Sequence, residues 1–483
     1  MPQMLPPMLQ IAFGLYFVAT AMFIVSENRS PQSSFAWMFA FVTLPVIGLV
    51  AYGLFGRDHK GFSRRKTLCP QNVPPSLRDM RAGFEAEHAA VARALAQGPS
   101  RNDRALTLIH NNTHSLASHR NRVDVLQNAD QTYPALLDAM RAARSSIHLH
   151  YYSWASDTFG EELKQLLSAK VAEGVAVRIL YDPVGSFRML SWRYIRAMRA
   201  AGIEMRPFSP LWRLHTISYR NHRKIVVVDG RIGFTGGLNI GDEHRDPPDG
   251  FALWRDTHIR VEGSAARALQ GIFVIDWLNA TQQNIADDSL FPAIAVPQDT
   301  DLPVQICLSG PDADFHAIQQ TYFQMIASAR RSIRITSPFF ILDDTIAEAL
   351  TSAALSGVDV RVMISARGPG QYVPYWAGNT FAAQCAEAGV TMLMYDGGYL
   401  HAKTVAIDGE YCAIGSANMD IRSFSINYEL TAVIYDAGIT ASLGAAFDAD
   451  EADCTRFDAD AYADRPRLSR FRDSLARLAS PLL

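Results

Sequence analysis

The chain has 483 residues, too many for one ordinary core at about 100–200 residues per domain. Its 45 Lys and Arg stand against 48 Asp and Glu, a net charge of −3, which argues against a general nucleic-acid binder with its basic excess. Apolar residues make up 48%, which excludes wholesale disorder, and five cysteines at 69, 307, 385, 412 and 454 show no disulfide or metal-ligand spacing. A reducing compartment and a chemistry without metal or cofactor are therefore expected.

Residues 1–56 contain only two charges, Glu27 and Arg29, and two long apolar runs, Met8–Val25 and Phe35–Phe55. A hydrocarbon core about 30 Å thick needs about 20 helical residues, so the sequence predicts a two-helix transmembrane hairpin with "SENRSPQSS" as its turn. Pro45 lies in the second run, where a membrane helix tolerates it better than a soluble one. A cleaved signal peptide is disfavoured, because no basic segment precedes the first run. Arg57, Lys60, Arg64, Arg65 and Lys66 follow the second run directly. The positive-inside rule then places residues 57–483 on the cytoplasmic side of the inner membrane, in a multi-pass protein.

Residues 57–125 read as a basic juxtamembrane segment and linker with some helical pattern. From about residue 126 strands and helices alternate, the signature of α/β folding with parallel strands. The pattern then recurs. "ARSSIHLHYYSW" from 143 resembles "ARRSIRITSPFF" from 329, and "GVAVRILYD" from 174 resembles "GVDVRVMIS" from 357. "HRKIVVVDGRIGFTGGLN" from 222 resembles "HAKTVAIDGEYCAIGSAN" from 401. The offsets of 186, 183 and 179 keep one order, so two tandem copies of one α/β unit are expected, at 126–295 and 302–483.

The third block carries the chemistry. Each copy has His, Lys two positions on and Asp seven on: His222, Lys224 and Asp229, then His401, Lys403 and Asp408. Residues i and i+2 of a strand share a face, so His and Lys point the same way. Each Asp precedes Gly in a hairpin-turn signal at odd spacing from its His, and holding the turn is its more natural direct task. Both Asn239 and Asn418 lie 17 residues after their His, amid small residues that let backbone approach a ligand. One such block arises easily by chance; two in register do not.

A phosphodiester undergoing substitution gathers negative charge on its non-bridging oxygens. Lys224, Lys403, Asn239 and Asn418 are suited to hold that charge. Imidazole is largely neutral near pH 7, so one His can attack phosphorus while the other passes a proton to and from the alcohols. A catalytic His usually needs an orienting carboxylate. Glu429, 28 residues after His401, and Asp256, 34 after His222, are the candidates within their respective copies. Transfer to an alcohol and hydrolysis share this first step, and the residues alone leave both open.

The intact double H-x-K-x4-D pattern resembles the phospholipase D superfamily. "NHRKIVVVDGRIGFTGGLNIGDEH", "WRDTHIRVEG", "GSANMDIRSFSINYEL", the N-terminal runs and the closing "SPLL" extend that resemblance to the bacterial cardiolipin synthase family over nearly the whole chain. The resemblance implies two phospholipase D-like domains about a pseudo-two-fold, with one active site at their seam. It also implies the reaction of two phosphatidylglycerols to cardiolipin and glycerol through a phosphatidyl-histidine. A phospholipase D-type hydrolase, or transfer to phosphatidylethanolamine or another alcohol, is the alternative. A nuclease is disfavoured by the apolar runs and the charge. The chain departs from the family's usual pattern at His244, where Tyr is common, and at "PFFILDD". His148 and His150 share a strand face but fit ordinary strand positions better than a metal pair.

Overall fold

The computed structural model describes residues 7–27, 31–56, 75–98, 103–212, 217–293, 301–370 and 372–480. The basic cluster from Arg57 to Lys66, part of the predicted turn between the apolar runs and the last three residues lie outside them. The chain divides into two compact units, residues 1–64 with 211–218, and residues 65–210 with 219–483.

In the first unit the first apolar run forms the helix Pro7–Ser26, in which the side chains of Pro7, Leu9 and Gln10 fall outside the description. The second run is not one helix. It breaks at Leu44, where Pro45 removes a backbone donor, into Pro31–Thr43 and Pro45–Ala51, followed by a π-helical turn. Among the described residues no helix is long and apolar enough to cross a membrane. Ile24, Phe41 and Tyr52 bury one another, and Tyr52 donates its hydroxyl to Glu27, so the two runs are packed as a pair.

Among its described residues the second unit holds two large sheets and two two-stranded ones. The first half supplies β1 (Asn121–Gln127), β2 (Ser146–Tyr151), β3 (Ala176–Tyr181), β4 (Glu204–Pro207), β5 (Ile225–Val228), β6 (Ile232–Gly236), the short β7 (Trp254–Arg255) and β8 (Thr257–Gly263). The second half supplies β9 (Val304–Ser309), β10 (Ser332–Ser337), β11 (Phe340–Ile341), β12 (Asp359–Ser365), β13 (Thr391–Tyr395), β14 (Tyr399–Leu400), β15 (Thr404–Ile407), β16 (Tyr411–Gly415), β17 (Met419–Asp420), β18 (Glu429–Ile434) and β19 (Cys454–Arg456). The first sheet runs β1-β8-β6-β5-β2-β3-β4 and the second β19-β13-β12-β10-β15-β16-β18-β9. Reversed and stripped of the extra edge strand β19, the second order reproduces the first strand for strand. The repeat seen in sequence is thus a repeat of topology. In each half only the three strands from β2 or β10 outward are parallel; the rest of the sheet is antiparallel.

Helices cover both faces of each sheet: Leu163 and Leu167 pack with Leu149 and Ile179 while Leu269 packs with Val227 and Ile259, and Ile346 packs with Ile335 and Val362 while Phe447 packs with Met363. Thr158–Ala172 starts where the Asp157 carboxylate accepts the Gly160 amide, and Asp344–Leu355 where Asp343 accepts that of Ile346. The two halves share a third core. Ile225, Val227, Ile259 and Leu269 of the first half pack with Ile306, Ile414, Leu430 and Ile434 of the second. Two sheets joined through such a face form one rigid seam, since these side chains are excluded from water from both sides.

The two Asp-Gly turns form as expected. Asp229 and Asp408 have φ of 53° and 55°, each followed by a Gly of positive φ, and they close the hairpins β5–β6 and β15–β16. Their carboxylates staple the turns to the start of the neighbouring strand. Asp229 accepts the amides of Arg144, Ser145 and Ser146, and Asp408 those of Arg330, Arg331 and Ser332. These bonds hold the Asp229 carboxyl below its ordinary pKa against the opposing effect of burial. Asp229→Ala is expected to lower unfolding stability by about 1–3 kcal/mol, since several amides lose a charged acceptor. The loss should shrink as pH falls towards the carboxylate's titration, because the depressed pKa stabilises only above it. Thermal melts of Asp229→Ala and wild type at pH 7 and pH 4 check both statements.

Candidate active site

The signature histidines enter at the seam, just before β5 and β15. Each enters on a strand bound to the other half. The His222 amide donates to the Tyr428 carbonyl at 2.9 Å and the Tyr428 amide to Arg220 at 2.8 Å. Symmetrically, the His401 amide donates to Arg255 and that of Tyr399 to Leu253, both at 2.7 Å, where β14 pairs with β7. The backbone therefore delivers to each His the segment that carries the other half's carboxylate.

The orienting carboxylates are accordingly exchanged relative to the sequence expectation. Glu429 bonds not His401 but His222, with Oε2 3.1 Å from Nδ1. Asp256 bonds not His222 but His401, with Oδ2 2.6 Å from Nδ1. Both carboxylates are fully buried. Each accepts a proton held on Nδ1, which fixes the tautomer and leaves Nε2 of both rings for the cleft. Glu429 also accepts the Ser416 hydroxyl and, at 3.2 Å, the Asn427 side-chain amide, while Asp256 Oδ1 accepts the Thr257 amide at 2.8 Å. The small residues ahead of each Asn thus serve a carboxylate rather than a ligand: a Cβ on Gly237 would stand 2.0 Å from Asp256 Oδ1.

His222, His401, Asn239 and Asn418 line one cleft of about 520 Å³, so both copies build a single site. Lys224 and Lys403 lie buried just beneath that wall, each donating its ammonium to the carbonyl of the His two residues before it. Asn239 accepts the Ser153 amide through its side chain, and its own amide donates to His244 Nε2 at 3.2 Å; the Asn418 amide makes the equivalent bond to Ser423. Asp229 and Asp408 do not belong to the cleft. The signature groups them with the catalytic histidines and lysines, but they stand at the far end of their hairpins and hold the turns.

Several lining residues carried no signal in the repeated block. Arg220 and Tyr399 each stand two residues before a signature His, Trp254 and Asn427 each two before an orienting carboxylate, and Glu243 and Arg422 each four after an Asn. Aligning the two copies position by position brings out these pairs; composition does not. Arg223, between His222 and Lys224, is fully buried and grips Asp276 through both carboxylate oxygens at 3.0 and 2.9 Å. Asp276 also lies 3.4 Å from His150, and His148 stacks on Phe273 and meets Gln270, so both strand histidines have structural neighbours.

Burial sets the electrostatics. It lowers the His222 pKa despite Glu429, and it lowers that of His401 well below 6.5 with help from Lys403, Lys224 and His222. Both imidazoles are thus neutral near pH 7. Burial also pushes Lys403 down to about 8, against the pull of Asp256, Glu429 and Asp420, and Lys224 well below its usual range. Lys403 is charged below about pH 8 and loses its charge above it. We expect kcat/KM to fall above about pH 8, where Lys403 loses its charge and the acid histidine is least protonated. Initial rates on lipid vesicles across pH 5.5–9.5 would check this, and a rate still rising at pH 9 would contradict it.

Comparison with known proteins agrees with this construction. The family model described as "Cardiolipin synthase, PLD-like domain" matches residues 136–246 and 322–451, one match in each half, and a phospholipase D–nuclease N-terminal model matches 14–57. A "Cardiolipin synthase" of Geobacillus thermodenitrificans is 38% identical over 477 residues, 98% of this chain and 93% of that one. The "Major cardiolipin synthase ClsA" of Bacillus subtilis is 35% identical over 489 residues, 99% of both. Among solved structures, phosphatidylserine synthase of Haemophilus influenzae shares the fold, with a TM-score of 0.60 at 13% identity over 79% of this chain and 99% of that one. With two phospholipase D-like halves enclosing one paired-histidine cleft, and such identity along almost its entire length, this chain belongs to the cardiolipin synthase family, the phospholipase D-type phosphatidyltransferases.

Proposed function

We propose that the protein joins two phosphatidylglycerol molecules into cardiolipin and glycerol. The observation that carries this reading is the single cleft holding two neutral imidazoles, each locked at Nδ1 by a buried carboxylate from the other half. The Nε2 lone pair of one His attacks phosphorus and forms an N–P bond. The P–O bond to glycerol breaks, and the other His, which has taken up a solvent proton on Nε2 beforehand, gives it to the leaving oxygen. That His, neutral again, takes the proton of the primary hydroxyl of a second phosphatidylglycerol. Its oxygen attacks phosphorus, the N–P bond breaks, and cardiolipin leaves. Lys224 and Lys403 beneath the cleft, with Asn239 and Asn418 on its wall, stabilise the charge that grows on the phosphoryl oxygens. One phosphodiester replaces another, so little free energy changes hands and the reaction is reversible.

The reading includes the domains at 126–295 and 302–483 and an N-terminal membrane hairpin that tethers the catalytic part on the cytoplasmic side. The outward-facing apolar side chains of the first unit support the hairpin: Leu15, Phe39 and Val46 are 67, 72 and 76% exposed. A lipid environment covers such surface, and a tether holds donor and acceptor at high effective concentration.

The test uses the full chain in vesicles of labelled phosphatidylglycerol, with chelator present and lipids resolved by mass spectrometry. Cardiolipin with stoichiometric glycerol is the expected outcome. Phosphatidic acid instead would show that water resolves the intermediate and would replace this reading with hydrolysis. Release of the protein from membranes by carbonate would refute the hairpin.

A further inference from the structure

The two halves are related residue by residue around the cleft, yet one pair of equivalent positions carries opposite charge. Glu243 lies four residues after Asn239 and Arg422 four after Asn418, and both line the cleft. Each stands near the other half's histidine. Arg422 and Arg220 both act electrostatically on Tyr152, whose ring lies 4.9 Å from that of His222. Glu243 acts on Tyr399, whose ring lies 5.6 Å from that of His401. Its neighbour His244 lies 6.5 Å from His401, ring to ring, and 4.6 Å from Trp254. The cleft thus carries Arg220 and Arg422 beside His222, where Asp182 and Glu429 oppose them, and Glu243 with the rings of Tyr399 and Trp254 beside His401.

The Glu243 carboxylate accepts no hydrogen bond from the described residues. Among the described residues its ion-pair contact is His244 Nε2 at 3.8 Å, an atom already accepting the Asn239 amide, and burial and the Asp157 carboxylate raise its pKa. The segment is nonetheless held firmly: Asp242 accepts the amides of Thr158 and Phe159 at 2.8 Å, and its own amide bonds Asp157. A carboxylate without a donor, 31% exposed on the wall of a site for an anionic phosphodiester, repels the phosphate. It is suited to the part of the substrate that is neutral and rich in O–H donors.

We propose that Glu243 forms the alcohol subsite, accepting hydrogen bonds from both free hydroxyls of the glycerol headgroup as it departs, and from the secondary hydroxyl of the second phosphatidylglycerol as it enters with its primary hydroxyl on the histidine. Two carboxylate oxygens match two O–H donors of a 1,2-diol. A competing ammonium headgroup is disfavoured by Lys224 and Lys403, whose charges already bear on His401 and His244. The inference rests on the phosphatidylglycerol reading above and adds which residue selects the acceptor.

The experiment is a competition. The full chain in phosphatidylglycerol vesicles receives equal concentrations of labelled glycerol, 1-propanol and ethanolamine, and the three exchanged phospholipids are quantified together. Wild type should favour glycerol over propanol. Glu243→Ala should lower that ratio about tenfold, the effect of removing a charged acceptor from a hydroxyl donor. Glu243→Gln, which keeps one acceptor oxygen, should lower it less. The ratio is internal, so it survives a partial loss of total activity. An unchanged ratio in both variants, a wild-type ratio no greater than one, or loss of all three products together in both variants would overturn the proposal. So would a collapse confined to the ethanolamine product, since the carboxylate would then read an ammonium. Failure of wild type to form any cardiolipin strikes the functional reading instead and is scored separately.

Discussion

Alanine at either His222 or His401 is expected to lower cardiolipin formation by about 10⁴-fold or more, with the protein still inserted and folded. The magnitude follows from the roles. Without the nucleophile no N–P bond forms, and without its partner a glycerolate must leave unprotonated. Two independent sites, one per copy, would instead leave about half the rate in each variant. The structure argues for one, because both rings line the same cleft and each is anchored to the opposite half. Labelled phosphatidylglycerol turnover by each variant, with melting temperature as the control, decides between these outcomes. A residual rate near one half would end the two-histidine mechanism.

The exchanged carboxylates lead to the second large effect. Asp256→Asn and Glu429→Gln should each lower the rate by about 10²–10⁴-fold, since an amide no longer enforces the Nδ1–H tautomer. More tellingly, each should reproduce the defect of the histidine it touches. Glu429→Gln should behave as His222→Ala and Asp256→Asn as His401→Ala. A phosphatidyl donor with an activated leaving group separates the two defects, because it needs no general acid. Loss of the nucleophile then abolishes the burst of released leaving group. Loss of the acid–base leaves the burst and traps labelled lipid on the enzyme. If each carboxylate variant instead matched the histidine of its own copy, the crossed pairing would be wrong.

The crossed pairing also accounts for the length of the chain. Neither half holds a complete His–carboxylate couple, so neither can act alone, and the shared core of Ile225, Val227, Ile306 and Leu430 keeps the two in register. Burying four ionisable side chains of opposite sign at such a seam is costly unless every one is paired. Lys224 and Lys403 turn back to backbone carbonyls, and the carboxylates collect hydroxyl and amide donors as well as imidazole.

The extent of sequence legibility differs residue by residue. The period near 180 residues predicted two α/β units, and the strand orders repeat accordingly. The paired H-x-K spacing picked out His222, Lys224, His401 and Lys403, but they precede the strands β5 and β15, and only the histidines line the cleft. The Asp-Gly signals located both hairpins, because a turn is a local property of the chain. The signature counts Asp229 and Asp408 with the catalytic residues, and the structure puts their carboxylates on the amides of the neighbouring strand, the turn-holding task that their odd spacing favoured. The second apolar run was legible as hydrophobic but not as two pieces, since its break depends on how Pro45 is accommodated.

By itself, then, the sequence showed the repeat, the candidate reacting residues and the family to which the chain belongs. Only the tertiary structure decided which carboxylate serves which histidine, because those contacts join residues 207 and 145 positions apart. It also decided that Gly237 makes room for Asp256 and that Glu243 and Arg422 face one cleft from opposite ends. Spacing along a strand is set by backbone geometry within a few residues. Contacts across a seam are set by how two hydrophobic sheet faces pack, and the linear order of the chain does not encode that packing in any local pattern.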